Sequence, residues 1–462
     1  MSSVNVIKQA LARIFSLEAA GATPREKTKR FVIACAAWIL VIRVVLVIWA
    51  IVFPDSRQFD SFTTVSIAPW ITFGPGVGFP SNDSYFYWLI ATNGFYEAKL
   101  VNFSPILPAI LFATRMIFQE YAPFIINSVF AMLTPWFLFG FLTNVIKDEA
   151  KVKQVTVLIL FNPLFIAYSI YGMTEPLHYL LLFVILASHY KKGLKWRIVE
   201  YACLVVLVLN RFISVVLAVF YAYKALFRKG SKLKERIIML VPVAVMGGTY
   251  LGWELLCRMI FPFGISPSEA RRLYWGHDFN FNPLAPDFMA NQAPLLLAGA
   301  ILGLLVLKST FSKDDAACRA ETAQFERLDM QALLAFAAVT FLFLGLMNKP
   351  VSILRYTGTS FPIIMILAIK VPSSKLIPIA SFGIAWGMVI AHAVMMAATA
   401  ASGGFVYFTA TDLVLVTVFT AVYLIVDILF YIKRDTLRSM NVLLALHVLL
   451  ALLLQPLTIF FP

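Results

Sequence analysis

Apolar runs recur from residue 31 to the C-terminus, many of about 20 residues and so long enough to cross the roughly 30 Å of hydrocarbon in a bilayer. The first covers about 31–53. Others follow at about 104–118, 124–146, 155–171, 177–190, 198–210, 212–227 and 237–261, then at 329–347, 357–370, 376–398, 411–432 and 440–460. Several fall short of a full crossing. The pattern predicts an all-α polytopic membrane protein with about 11–14 transmembrane helices.

Polar stretches divide these runs. Residues 1–30 place Ile7, Leu11, Ile14 and Phe15 at helical spacing beside Lys8 and Arg13, an amphipathic helix for the cytoplasmic surface. A long insertion at 54–102 separates the first run from the next, with a second at 262–292, a linker at 308–328 and a short loop at 348–356. These breaks divide the chain into an N-terminal segment 1–30, a transmembrane module 31–261 that includes the loop 54–102, a section 262–370 and a C-terminal scaffold 371–462. Basic residues gather at Lys191, Lys192, Lys195 and Arg197, at Arg228, Lys229, Lys232, Lys234 and Arg236, and at Lys433, Arg434 and Arg438. By the positive-inside rule those segments are cytoplasmic. The runs 198–210 and 212–227 then form a hairpin with Asn210 and Arg211 at its outer tip, and 171–176 also lies outside. Counting forward from the first run places Glu175 inside instead. Something within 104–155 is therefore not a simple crossing, and Pro135 is the obvious break.

Composition agrees with the membrane reading. The chain is 61% hydrophobic and 13% charged, with 41 Phe and a mean hydropathy of +0.84; soluble domains carry about 25% charged residues. The net charge of +14 goes with basic residues clustered in short segments between apolar runs, not with a basic face on a soluble domain, so nucleic acid is not the expected partner. Cys35, Cys203, Cys257 and Cys318 show no CxxC spacing, and neither a disulfide framework nor a zinc site is indicated.

The outer face collects Asp83, Glu97, Glu175, Arg211, His277, Asp278, Lys349 and Arg355. Carboxylates and cations at one membrane face suit group transfer from a lipid phosphate. A carboxylate takes the proton of an incoming hydroxyl, and cations stabilise the departing phosphate. The Gly/Pro-rich 74–80 is not followed by a P-loop Lys, and no DxD, HExxH or His/Cys ligand spacing argues for a metal. Plainer roles exist. Asp83 could cap a helix beginning at Ser84, Glu175 suits a helix N-terminus, Glu97 could be a solvated residue, and Arg211 could snorkel. Asp60 is the fallback carboxylate, and Arg43 within the first run is expected to face a neighbouring helix.

The run Asp83, Ile90-Ala91, Gly94-Phe95-Tyr96-Glu97, Phe103-Ser104-Pro105 and Pro108 resembles the first outer-loop signature of the GPI mannosyltransferase 2 (PIG-V) family. Phe161-Asn162-Pro163 with Tyr171 to Glu175, Asn210-Arg211, and Arg355-Tyr356 with Phe361-Pro362 resemble later blocks in the same order. Asn82 and Phe86 stand where the family has Trp and His. The resemblance implies a GT-C glycosyltransferase fold and inverting transfer of mannose from dolichyl- or polyprenyl-phosphate mannose to a glycolipid or glycan acceptor, with no metal or other cofactor required. It implies Asp83 as general base or acceptor-orienting carboxylate, Arg211 and Arg355 on the donor phosphate, and Glu175 on sugar or acceptor hydroxyls. The other outer-loop residues add Lys349 as a further cation for the phosphate, and Glu97, Tyr96, His277 and Asp278 as further contacts to sugar or acceptor. The expected home is a prokaryotic or archaeal cell membrane, the endoplasmic reticulum being the alternative. A transporter or flippase of lipid-linked sugars is the rival reading, and a non-catalytic scaffold a third.

Overall fold

The computed structural model describes residues 24–52, 83–161, 173–228, 230–275, 292–311, 327–346, 361–370 and 376, and every regular element among them is helical. Residues 1–23 of the N-terminal segment, the Gly/Pro-rich stretch 74–80 and, but for residue 376, the three C-terminal runs lie outside the described residues.

The helices are α1 (Pro24–Val52), α2 (Asp83–Asn93), α3 (Ile106–Phe118), α4 (Ala122–Val145), α5 (Glu149–Leu160), α6 (Glu175–His189) and α7 (Leu194–Asn210). They continue as α8 (Ala218–Phe227), α9 (Leu233–Ile260), α10 (Pro267–Trp275), α11 (Ala293–Phe311), α12 (Arg327–Leu346) and α13 (Phe361–Lys370). Short 3₁₀ turns occupy Ala98–Asn102, Gln119–Tyr121 and Phe212–Leu217.

Side-chain contacts show which helix ends lie together. Thr28 at the start of α1 donates to Glu149 at the start of α5, and Phe141 late in α4 stacks on Tyr190 just past α6. Lys224 late in α8 pairs with Asp329 at the start of α12. These contacts gather the Lys/Arg-rich ends into one basic end. At the far end Asn127 of α4 donates to the Met173 carbonyl, and Asn210, closing α7, to that of Thr174, both at 3.0 Å.

The direction of α3 resolves the parity conflict. By length and apolarity, residues 106–145 read as one 40-residue span. A straight helix of that length would be about 60 Å, twice the hydrocarbon thickness. The chain instead breaks at Gln119, which takes a left-handed φ of 51°. Leu107 and Leu111 pack on Phe86, Ile90 and Leu100, and Arg115 donates to the Ala91 and Thr92 carbonyls that end α2. Both ends of α3 therefore belong to the far end, and α3 does not cross. Pro135 is not the break. It lies inside a continuous α4, where Thr134 bonds back to the Phe130 carbonyl. With α3 set aside, α4 descends, α5 rises, and Glu175 lies at the far end.

Packing, not exclusion of water, joins such helices, because lipid tails are as apolar as the side chains they meet. Small residues allow the close approach. A Cβ on Gly299 of α11 would meet Leu342 Cγ at 2.6 Å, and one on Gly345 of α12 would meet Leu296 Cγ at 2.8 Å. These reciprocal contacts fix α11 and α12 as antiparallel neighbours. On α9 only Pro242, Met246 and Cys257 are buried, while Leu251, Leu255 and Met259 are exposed, which suits a helix facing lipid. Arg43 is buried, donates through Nη2 to the Phe124 carbonyl at 3.3 Å and packs over the Phe124 ring. It satisfies a neighbouring helix, as its place in an apolar run demanded.

Candidate functional site

Asp83 opens α2 and is half-buried. Behind it Phe86 and Tyr87 pack on Phe103, with ring centroids 5.0 and 5.3 Å apart. The two halves of the outer-loop motif are thus one packed unit. Gly94 ends α2 with φ 73° and returns its N–H to the Ile90 carbonyl at 2.9 Å, a left-handed stop that glycine adopts without a Cβ penalty. Phe95, half-buried, packs on Phe261, centroids 4.8 Å apart.

Tyr96 and Glu97 remain at the surface. Tyr96 is exposed, its hydroxyl pushed up from the usual range first by desolvation and then by the Glu97 charge. Glu97 pairs with Lys99 at 2.7 Å in water, a contact worth about 0–1 kcal/mol.

Glu175 is fully buried as the first residue of α6, where the helix dipole favours its charge. The Arg211 guanidinium, only 8% exposed, meets its carboxylate at 3.0 Å. Two residues that looked separable in sequence are therefore one ion pair. Asn127 and Asn210 hold the carbonyls of 173–174, and Ser214 Oγ lies 3.1 Å from His178 Nδ1. The chain entering α6 is thus fixed from α4 on one side and from the α7–α8 turn on the other. Arg355, Lys349, His277 and Asp278 lie outside the described residues.

One participant escaped the sequence reading. Arg271 of α10 donates through Nε to Asn102 Oδ1 at 2.9 Å and lies 5.7 Å from the ring of Phe212, the residue after Arg211. It joins the Asp83 block, through Asn102 and Phe103, to the segment carrying the buried ion pair. Its signal was a lone RR dipeptide with no spacing pattern. Around it, Glu269 pairs with Arg258 and accepts from the Ser266 N–H at 2.8 Å, a backbone bond that, ahead of the ion pair, holds its carboxyl below the usual range. Glu254 accepts from the Ser268 hydroxyl at 2.7 Å. These bonds dock α10 on the end of α9 and hold Arg271 in place.

Helices of this order, with α2, α3 and α10 gathered over one end of the bundle, make the described residues an all-helical assembly of the GT-C fold, with helices long and apolar enough to cross a membrane. Among solved structures the chain is similar to ArnT from Cupriavidus metallidurans bound to undecaprenyl phosphate, with a TM-score of 0.52 at 16% identity over 91% of this chain and 77% of that one. The apo structure of the same protein aligns with a TM-score of 0.49 at 15% identity, over 93% and 78%. No family model and no curated protein sequence matches the chain.

Proposed function

We propose that this protein is a membrane glycosyltransferase that takes its sugar from a polyprenyl-phosphate donor at the far end of the bundle. The observation that carries the reading is the likeness in fold to a protein solved with undecaprenyl phosphate. The positive-inside rule makes the basic end cytoplasmic and the far end the outer or lumenal face. The sugar is a hexose, mannose by the PIG-V-like motif, and the acceptor is a glycolipid or glycan hydroxyl.

In this reading the acceptor oxygen attacks the anomeric carbon as the carbon–oxygen bond to phosphate breaks. Asp83 takes the hydroxyl proton, and polyprenyl phosphate leaves carrying the bonding pair. One carboxylate on the acceptor side is enough for inversion, because the phosphate leaves without needing a proton. Arg271, with Arg211, Arg355 and Lys349, supplies cations for the phosphate, whose oxygens suit a planar guanidinium fork. Glu175 holds Arg211 in position, while Tyr96, Glu97, His277 and Asp278 meet sugar or acceptor.

The test is transfer in liposomes from radiolabelled polyprenyl-phosphate mannose to a pooled glycolipid and glycan acceptor extract. Wild type transfers label, and Asp83→Asn loses at least about a hundredfold in rate while still binding donor. Undiminished transfer by Asp83→Asn removes the general-base role. No transfer by wild type from mannosyl, glucosyl or pentosyl donors overturns the enzymatic reading.

A further inference from the structure

The opposite end of the molecule holds a second constellation that transfer at the far end leaves unused. Between α6, α7, α8 and α9 lies a cavity of about 250 Å³. Its walls are His189, Arg197, Tyr201, Tyr221, Lys224, Arg228, Ile238, Met239 and Pro242. Buried Glu200 organises the polar wall. Its carboxylate takes bonds from Arg197 Nη1 at 2.7 Å and from the Tyr221 hydroxyl at 2.8 Å, and meets His189 Nδ1 at 2.7 Å. Lys224 Nζ sits 2.7 Å from His189 Nε2. An ammonium only donates, so Nε2 is the acceptor and Nδ1 carries the proton given to Glu200. The imidazole is therefore neutral, and the charges on this wall are two cations, each anchored by one carboxylate, Glu200 or Asp329.

Arg228 is different. It is exposed, and the hydrogen-bond acceptor its guanidinium reaches is the Met239 thioether at 3.9 Å, a weak one. The cavity thus presents a guanidinium without a carboxylate, beside Arg197, which has donors left over from its single bond to Glu200. The lip is apolar. Leu226, Phe227, Ile237 and Ile238 are exposed around it, as they would be against acyl chains. Pro242 has no N–H to give the Ile238 carbonyl, which leaves that carbonyl open to a hydroxyl donor at the same lip.

We infer that this cavity binds the headgroup of an anionic phospholipid of the basic-side leaflet, phosphatidylglycerol by its chemistry. The phosphodiester sits against Arg228 and Arg197, glycerol hydroxyls reach the Ile238 carbonyl, and acyl chains lie on α8 and α9. Cations lining a pocket between helices at headgroup level are the usual host for such lipids. The volume also suits a headgroup: drug-sized ligand pockets run from about 300 to 1,000 Å³. This inference does not depend on the transferase reading.

Native mass spectrometry of the full chain in detergent, titrated with phosphatidylglycerol or phosphatidylcholine, tests it. Wild type retains phosphatidylglycerol and not phosphatidylcholine. Arg228→Gln, which breaks no carboxylate pair, weakens phosphatidylglycerol binding about tenfold, the loss expected for a charge-assisted bond. Lys192→Gln, an exposed cation at the same end that does not line the cavity, changes it less than about twofold at physiological salt. Equal losses in both variants mean diffuse surface attraction and overturn the site. Displacement of the lipid by millimolar inorganic phosphate overturns the lipid assignment in favour of a soluble phosphate. Equal retention of both lipids overturns charge recognition altogether.

Discussion

At the scale of single residues, the Glu175–Arg211 pair shows how a buried charge is tolerated. Each ion stripped of water costs several kcal/mol, and only a close partner with further hydrogen bonds offsets that. Removing one partner strands the other. Glu175→Gln or Arg211→Gln should therefore destabilise the protein by about 3–5 kcal/mol, seen as a lowered melting temperature in detergent. The double variant should recover part of that loss, because no uncompensated charge remains. If donor transfer stays absent in the recovered double variant, the pair does more than hold the fold. If the single variants melt with wild type, the pair is not the structural element its burial implies. Glu97 stands at the other extreme. Its exposed bridge to Lys99 supports no stability claim, so any effect of Glu97→Gln on transfer reports on substrate alone.

At the scale of helices, close approach between α11 and α12 depends on glycine. Gly299→Ala would drive a methyl into Leu342 Cγ and toward the Ala338 carbonyl at 2.9 Å. Side chains can shift, but the backbone carbonyl cannot, and overpacking of this kind costs about 1–3 kcal/mol. A thermal-shift measurement should find Gly299→Ala clearly destabilised and Gly303→Ala, where nothing lies within 4 Å of the added methyl, near neutral. Equal melting temperatures would contradict the packing of these two helices. The same scale explains what periodicity foretold. A helix starting at Ser84 with Asp83 as its cap was readable, whereas its end at Asn93 and the left-handed Gly94 came from the structure. That its apolar face meets α3 and Phe103, not the headgroup layer, was not readable, because aromatic residues suit both surroundings equally.

At the scale of the whole molecule, the orientation of α3 sets which face every later loop occupies. Single cysteines at Lys99 and Glu120, which bracket α3, should react with a membrane-impermeant maleimide from the same side in oriented vesicles. A cysteine at Lys192 should react only from the other side. Labelling of positions 99 and 120 from opposite sides would restore α3 as a crossing and move Glu175 to the basic end. The exposed apolar face of α9 and the basic cavity beside its first turns place the bilayer around this frame.

The amino-acid pattern by itself determined the helical class, pointed to a membrane as the medium, and marked the Lys/Arg-rich ends that the fold gathers together. Twenty-residue apolar runs cannot stay in water, lipid forces each backbone to satisfy itself as helix, and Lys/Arg clusters choose a face. It also marked Asp83, Glu175 and Arg211, since charges flanking apolar runs are costly and rarely idle. Only the tertiary structure decided that α3 stays at one end, because a 13-residue apolar helix is long enough to be ambiguous and its partner α2 is distant in neither sequence nor composition. Only the tertiary structure joined Glu175 to Arg211 and brought Arg271 to Asn102 across 169 positions of sequence. Local pattern carries the period of a helix and the hydropathy of its medium. It does not carry which helix faces meet, and that is set by shape and by the pairing of buried charges.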